Sequence, residues 1–415
     1  MSDRPLNFIK KFGVFSAGGF FLTSPFSKGG AETFAGAVIF CALVIFFKEK
    51  RYRNVNFKDP FIIFSVIYIA WSFVSCLVGT DISRSFVIYR DEWVFAMIPS
   101  MAIVLDRKEQ VLRAFRLLAI SGTVIAIYAF VQHYWGYDLL RMEKLIPIET
   151  DKFRVAGLFN NSMTFGNYYI ILGALLFPLT DIAQDKKYKI LLGLASLLTI
   201  IAALLSYQRG VGWVFLWVLI LFLIRYGKKH YKWLVPSVIV FAAALYLYAP
   251  GLINQHLSHL KMELSGTNPR SRYVIWKGTV SMITKRPIFG VGPGNFEKNF
   301  LPYVDKNYPY YHNHAHNDYL NIAVHTGIPS LLIFLGIYWA IFKKFRKIHK
   351  SGNSDRFARI VTSAVMNATI VFMLTGVYDS VTDDMELRIF IYALWGVFFW
   401  VGRYVKDMPA TAEST

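Results

Sequence analysis

Residues 60–79 read PFIIFSVIYIAWSFVSCLVG, with no charged side chain from Pro60 to Gly79. At a rise of 1.5 Å per residue, a helix of this length matches the ~30 Å hydrocarbon core of a bilayer. Each central Leu, Ile, Phe or Val contributes roughly −0.3 to −0.6 kcal/mol to insertion, enough to carry the few polar residues. Working outward, 190–206 (ILLGLASLLTIIAALLS) and 359–377 have the same character, with no charge beyond their ends. The whole chain is 55% hydrophobic and only 17% charged, a composition of membrane proteins rather than soluble domains of 415 residues.

Twelve such segments are predicted, at about 7–23, 31–47, 60–79, 92–105, 115–135, 157–180, 190–206, 210–224, 233–249, 326–342, 359–378 and 388–402. The fold class is therefore all-α, a polytopic bundle of about 12 transmembrane helices. The run 13–22 resembles a short signal sequence, but a hydrophobic helix follows at once, so it reads as a retained first helix.

A net charge of +19 would suggest nucleic acid in a soluble protein. Here Lys and Arg collect in short turns: KEKRYR at 48–53, DRKEQVLRAFR at 106–116, DKKYK at 185–189, RYGKKHYK at 225–232 and KKFRKIHK at 343–350. That is the positive-inside pattern, so no nucleic-acid partner is expected. It predicts cytoplasmic N and C termini and outer connections at 136–156 and 250–325, the connection at 379–387 being acidic. The expected organisation is helices 1–9 over 1–249, a large periplasmic loop region over 250–325 between helices 9 and 10, helices 10–12 over 326–405, and a disordered cytoplasmic tail over 406–415. Cys41 and Cys76 fall inside predicted helices, at no metal-type spacing.

Three places could carry chemistry. Arg209, in SYQRGVGW, is the only Lys or Arg between Ile190 and Ile224 and sits in a tight outer turn, where an arginine either snorkels or lines a polar cavity. Arg270 and Arg272, in NPRSRYVIWKG, offer planar forks that match phosphate oxygens, or else form a solvated basic helix face. Gly290, Gly292 and Gly294 read as a turn, because no strand precedes them and Pro293 interrupts the run. In YYHNHAHNDYLN (310–321), His312, His314, His316 and Asp318 alternate and would share one face of an extended segment. Spacing alone leaves three roles open: a general base, a metal site, and a polar loop end in which Asn317 and Asp318 cap the next helix.

Many spans, an Arg in the outer turn of a middle hairpin, Arg272…Trp276 followed by Pro287-x-x-Gly290-x-Gly292, and a His-Asn pair before the tenth helix resemble the O-antigen ligase/polymerase superfamily. Within it, a main periplasmic loop between helices nine and ten resembles the O-antigen ligases (WaaL). The ligase motif, His-[Asn/Ser/Gln]-x9-Gly-x-x-[Gly/Thr/Tyr], is met by His316, Asn317 and Gly327, whereas Ser330 departs from it. The resemblance implies a metal-independent, cofactor-free, inverting glycosyltransferase of the bacterial inner membrane with a periplasmic active site. Its donor would be an undecaprenyl diphosphate-linked glycan and its acceptor lipid A–core, with membrane lipids around it. Arg209 and Arg272 would hold the diphosphate and His316 would be the essential histidine. Arg270, His314, Asn317 and Asp318 remain possible supporting residues. A polymerase of the same superfamily is the nearest alternative. A secondary transporter is a more distant one, since no internal repeat is visible and the charges sit at the rim.

Overall fold

The computed structural model describes residues 4–53, 56–149, 152–224, 271–304 and 312–408. The predicted ninth span at 233–249 and Arg270 lie outside the described residues. The helices are α1 (Arg4–Thr23), α2 (Lys28–Lys48), α3 (Pro60–Leu77), α4 (Ile82–Tyr89), α5 (Met97–Val104), α6 (Lys108–Trp135), α7 (Ser162–Leu179) and α8 (Lys186–Leu204). They continue as α9 (Arg209–Ile224), α10 (Arg272–Lys285), α11 (Phe296–Phe300), α12 (Asp318–Thr326), α13 (Ile328–Lys350), α14 (Arg356–Thr375) and α15 (Met385–Asp407). Eight of them, α2, α3, α6 to α8 and α13 to α15, are long and apolar enough to cross a membrane. The described residues are all-α apart from two small antiparallel hairpins between α6 and α7, β1 (Tyr137–Asp138) with β2 (Glu143–Lys144) and β3 (Pro147–Glu149) with β4 (Lys152–Phe153).

Helix starts follow from local chemistry. The side chains of Ser27, Asp59, Asn161, Asp185 and Asp355 each accept a backbone N–H from the first turn of the helix they precede, satisfying donors that an apolar surround cannot. The fourth predicted span is the main difference. Arg90–Ala96 winds as a 3-10 helix and only then passes into the eight-residue α5, about 12 Å long. Arg90, Asp91 and Glu92 explain this, because Glu92 turns inward to pair with Arg388 of α15 at 3.4 Å rather than face lipid. The predicted basic turn at 106–116 is mostly helix, since α6 begins at Lys108.

Burial sorts the helices into two shells. In α7 and α15, 89% and 83% of the apolar window is buried, against 28–33% in α2, α3, α8 and α13. The outer helices present Phe40, Val66, Leu191 and Leu332 outward, the reverse of a soluble domain and what a lipid solvent permits. Cys41 and Cys76 are buried free thiols.

The bundle has two chemically distinct ends. At one, Lys344 pairs with Asp59 (2.8 Å), Lys108 with Asp355 (2.5 Å), and Arg403 donates to the carbonyl of Ala102 (2.7 Å). At the other lie the carboxyl end of α3, the amino ends of α7, α9 and α15, and the helices of the segment predicted as a loop. There α12 and α13 meet at a break at Gly327, whose φ is +91°. A Cβ on Gly327 would lie 1.8 Å from the carbonyl oxygen of Ile288. We expect Gly327→Ala to lose about 2–4 kcal/mol from combined backbone strain and steric conflict, read as a large drop in Tm of the detergent-solubilised protein. A wild-type Tm would refute this close approach.

Candidate active site

The 287–295 turn is what docks the polar segment on the membrane helices. Val291 and Gly292 donate their N–H groups to the carbonyls of Val324 and His325 on α12, at 2.8 and 2.9 Å. Thr80, at the end of α3, donates to the carbonyl of Val291 at 2.9 Å. Gly292 has φ +89°, and a Cβ there would meet Gly79 Cα at 2.8 Å. Trp71 of α3 reaches across to donate from Nε1 to the carbonyl of Thr326 (2.9 Å). The glycine run is thus a turn, as its residues predict, and it fixes α12 beside α3.

The amino end of α12 is pinned in turn against the 376–384 connection. Asp318 N donates to the carbonyl of Gly376 at 2.7 Å, and Asn317 Nδ2 to that of Val377 at 2.9 Å. Asn317 caps α12 by accepting from Leu320 N (2.9 Å). Asp318 does not share a face with the histidines. It turns away, accepting from Thr382 N (2.9 Å) and Thr382 Oγ1 (2.6 Å). Burial holds its pKa well above the usual carboxylate range in spite of those bonds. The physical reason is at His316, whose φ of +50° breaks the extended run that alternation would need. That left-handed turn brings the His314 and His316 rings within 4.1 Å of each other, while His312 and His316 lie 5.9 Å apart. His316 N donates to His314 Nδ1 at 3.2 Å. Burial pushes the His314 imidazole below its ordinary value, and the His316 charge adds to this.

The centre of the arrangement is Asp379, buried, with 7% of its side chain exposed. His316 Nδ1 stands 3.5 Å from Asp379 Oδ1 without a hydrogen bond of good geometry, so it is the carboxylate's charge at that distance that can orient the ring. Asp379 Oδ2 accepts from Asn167 Nδ2 of α7 (3.0 Å) and from Gln208 Nε2 (2.9 Å), the residue before Arg209. Burial opposes its ionisation. Contact with His316 and the positive charges of Arg272, His316 and His314 outweigh that and hold the carboxyl below its ordinary pKa.

Arg272 opens α10, and Trp276, one turn on, donates from Nε1 to the carbonyl of Ala315 (3.1 Å), tying α10 to the histidine segment. Arg209 opens α9 two residues after Tyr207, whose φ is +52°, and Gly210 packs on Tyr378 so closely that a Cβ would lie 3.1 Å from Tyr378 Cβ. Tyr207 and His316 are two of three non-glycine residues with positive φ among the described residues, and both adjoin this centre. His316, Arg272 and the Gln208–Arg209 turn therefore gather at one end of the bundle, around one carboxylate.

A cavity of ≈ 410 Å³ opens beside His316. His314, Asp379, Asp383, Asp384, Glu92 and Arg388 are among the residues that line it. Asn321 Nδ2 donates to Asp383 Oδ2 (2.8 Å), and Thr164 Oγ1 to Asp384 Oδ2 (2.9 Å). Burial, helped by the charges of Asp379, Glu386 and Asp383, raises the Asp384 pKa to about 7. A carboxyl whose folded pKa is raised penalises the folded state as pH climbs from its ordinary value near ~4 towards 7. Asp384→Asn is therefore expected to raise Tm relative to wild type at pH 7–8 and to leave it unchanged near pH 4. A Tm difference independent of pH would refute the assignment.

Sequence reading missed Asp379, Gln208, Asn167 and Arg154. Arg154 donates from Nε to the carbonyl of Ser206 (2.8 Å), and burial together with the neighbouring Arg209 charge lowers its pKa. The available signal was YDSVTDDMEL itself, which puts Asp379, Asp383, Asp384 and Glu386 in one short connection between apolar helices. Among the described residues no group of three or more His, Cys, Asp or Glu is arranged to hold a metal ion.

Residues 194–335 match the family model described as O-antigen ligase. The match supports membership of the O-antigen ligase/polymerase superfamily, and it covers α9, α10 and α12 with Arg209, Arg272 and His316. No curated protein matches the chain.

Proposed function

We propose that this protein is an O-antigen ligase, a metal-independent inverting glycosyltransferase that moves O-antigen polysaccharide from undecaprenyl diphosphate to lipid A–core at the periplasmic face of the inner membrane. The observation that carries the reading is the gathering of His316, Arg272 and the Gln208–Arg209 turn around Asp379. In this proposal the chain spans the membrane twelve times with both termini in the cytoplasm, and 250–325 is the periplasmic catalytic segment.

The acceptor hydroxyl oxygen attacks the anomeric carbon as the bond from that carbon to the diphosphate oxygen breaks. The bonding pair leaves with the diphosphate, and one in-line displacement inverts the anomeric configuration. Arg209 and Arg272 face the charge growing on the phosphate oxygens, and their guanidinium forks bind it more strongly in the transition state than in the ground state. His316, with Nδ1 towards Asp379, keeps Nε2 for the acceptor hydroxyl and takes its proton as the new C–O bond forms. Asp379 acts on the reaction through His316 and is a positioning residue. Asn317 and Asp318 hold the amino end of α12 and so the place of His316.

Reconstitution with purified undecaprenyl diphosphate-linked glycan and lipid A–core tests the proposal. Glycan appearing on lipid A–core is the expected result, and no transfer by folded protein would overturn it. A second reading, a polymerase of the same superfamily, is favoured by Ser330 in place of the ligase motif's Gly, Thr or Tyr. Cells lacking a polymerase would show single repeats on the core, whereas cells lacking a ligase would accumulate long chains on the lipid carrier.

A further inference from the structure

We propose that the end of the bundle opposite His316 carries a binding groove for one anionic phospholipid, its phosphate held by Lys11, Arg107 and Arg113 and an acyl chain laid along Val14, Gly18 and Leu117. The inference stands apart from glycan transfer, because none of these residues belongs to the site around Asp379.

The groove, of ≈ 770 Å³, runs between α1, α2, the end of α5 and the start of α6. Its mouth is lined by Lys10, Lys11, Arg51, Arg107 and Arg113 against a single carboxylate, Asp106. Glu49 neutralises part of this charge by pairing with Lys10 and with Arg51, the latter at 2.6 Å. Asp106 sits 3.9 Å from Arg107. Lys11 and Arg113 are exposed and form no ion pair among the described residues, so the mouth keeps an excess of positive charge.

Below the mouth the lining turns apolar. Lys11, Val14, Phe15, Gly18 and Leu22 follow at helical spacing on the side of α1 that lines the groove, charge first and hydrocarbon after. From Lys11 to Leu22 that face rises about 16 Å, close to half of the ~30 Å hydrocarbon core. The groove therefore has the depth of one leaflet, with its cations where a headgroup would lie. Glycine makes the room. A Cβ on Gly18 would already touch Leu117 Cδ1 at 3.3 Å, and the Phe34 ring is sunk onto Gly19, where a Cβ would be 2.5 Å away.

Charge decides between occupants. A second copy meeting this face symmetrically would set the same cations against themselves. A free phosphate would satisfy the mouth and leave the apolar length unexplained. An anionic lipid satisfies both, and each basic group near an anionic headgroup strengthens binding by about fivefold.

The test uses the full chain in detergent, titrated with dioleoyl phosphatidylglycerol, dioleoyl phosphatidylcholine or inorganic phosphate. Thermal unfolding and native mass spectrometry give the readouts. We expect phosphatidylglycerol alone to raise Tm and to stay bound on desolvation. The variant K11Q/R107Q/R113Q should weaken that binding by about tenfold to hundredfold. Gly18→Leu, which fills the apolar half and leaves the cationic mouth intact, should weaken the binding of phosphatidylglycerol. If the triple variant does not fold, Arg113→Gln alone should still weaken binding by about fivefold. Equal shifts with both lipids, an equal shift with phosphate alone, unchanged affinity in the charge variants, or dimers formed in place of lipid adducts would each overturn the proposal.

Discussion

Replacing His316 with alanine is expected to lower glycan transfer by about 10²–10⁴-fold while membrane insertion and Tm stay near wild type. The magnitude is that of a lost general base. The confinement to activity follows from the position of the ring, which faces the cavity with 24% of its side chain exposed and packs no apolar core. Asp379→Asn should reproduce part of this loss, because an amide at 3.5 Å no longer orients the imidazole as a carboxylate does. If Asp379 acts through His316, the double variant His316→Ala/Asp379→Asn should be little worse than His316→Ala alone. Fully additive losses would mean that Asp379 serves the reaction by another route, and near-normal transfer by His316→Ala would remove the base from the mechanism.

Arg272→Ala is the second large effect. Loss of a preorganised donor facing a developing oxyanion costs about 2–4 kcal/mol of barrier, a fall of roughly 30- to 10³-fold in kcat. The fall should lie in kcat more than in KM, since the charge it meets grows as the bond to diphosphate breaks. Arg272→Lys should recover only part of the rate, because an ammonium keeps the charge and loses the planar fork. Removing Arg272 also takes away one of the charges that hold Asp379 ionised, so the acid limb of the pH–rate profile should move to higher pH. Steady-state kinetics on the lipid-linked donor across pH measure both. An unchanged kcat with an unmoved acid limb would end the idea that Arg272 faces both the diphosphate and Asp379.

Much of the architecture was legible because apolar length is a local property. The runs at 60–79 and 190–206 form α3 and α8, and the Asx and Ser caps sit where helices begin. The exceptions have tertiary causes. Glu92 at 92–105 looked like the flank of a span, but its partner Arg388 is nearly three hundred residues away, so the segment starts as a 3-10 helix with Glu92 turned inward and is α-helix only from Met97. The histidine run was visible as a cluster, and its geometry was not. Alternation predicts one shared face, whereas a single left-handed residue at His316 sets two imidazoles edge to face and sends Asp318 to Thr382.

Residue types and their order along the chain were enough to specify a polytopic helical protein, with its basic turns and the three residues worth testing. Hydropathy and charge act over one or two helical turns, and the chain carries them wherever it goes. Which groups meet was decided only by packing. Asp379 lies 63 positions from His316 and 107 from Arg272 along the chain, counting 379 − 316 and 379 − 272, and no spacing rule links them. They come together because the 287–295 turn fastens α12 to α3 and the 376–384 connection closes over the amino end of α12, leaving the buried Asp379 carboxylate beside positive partners.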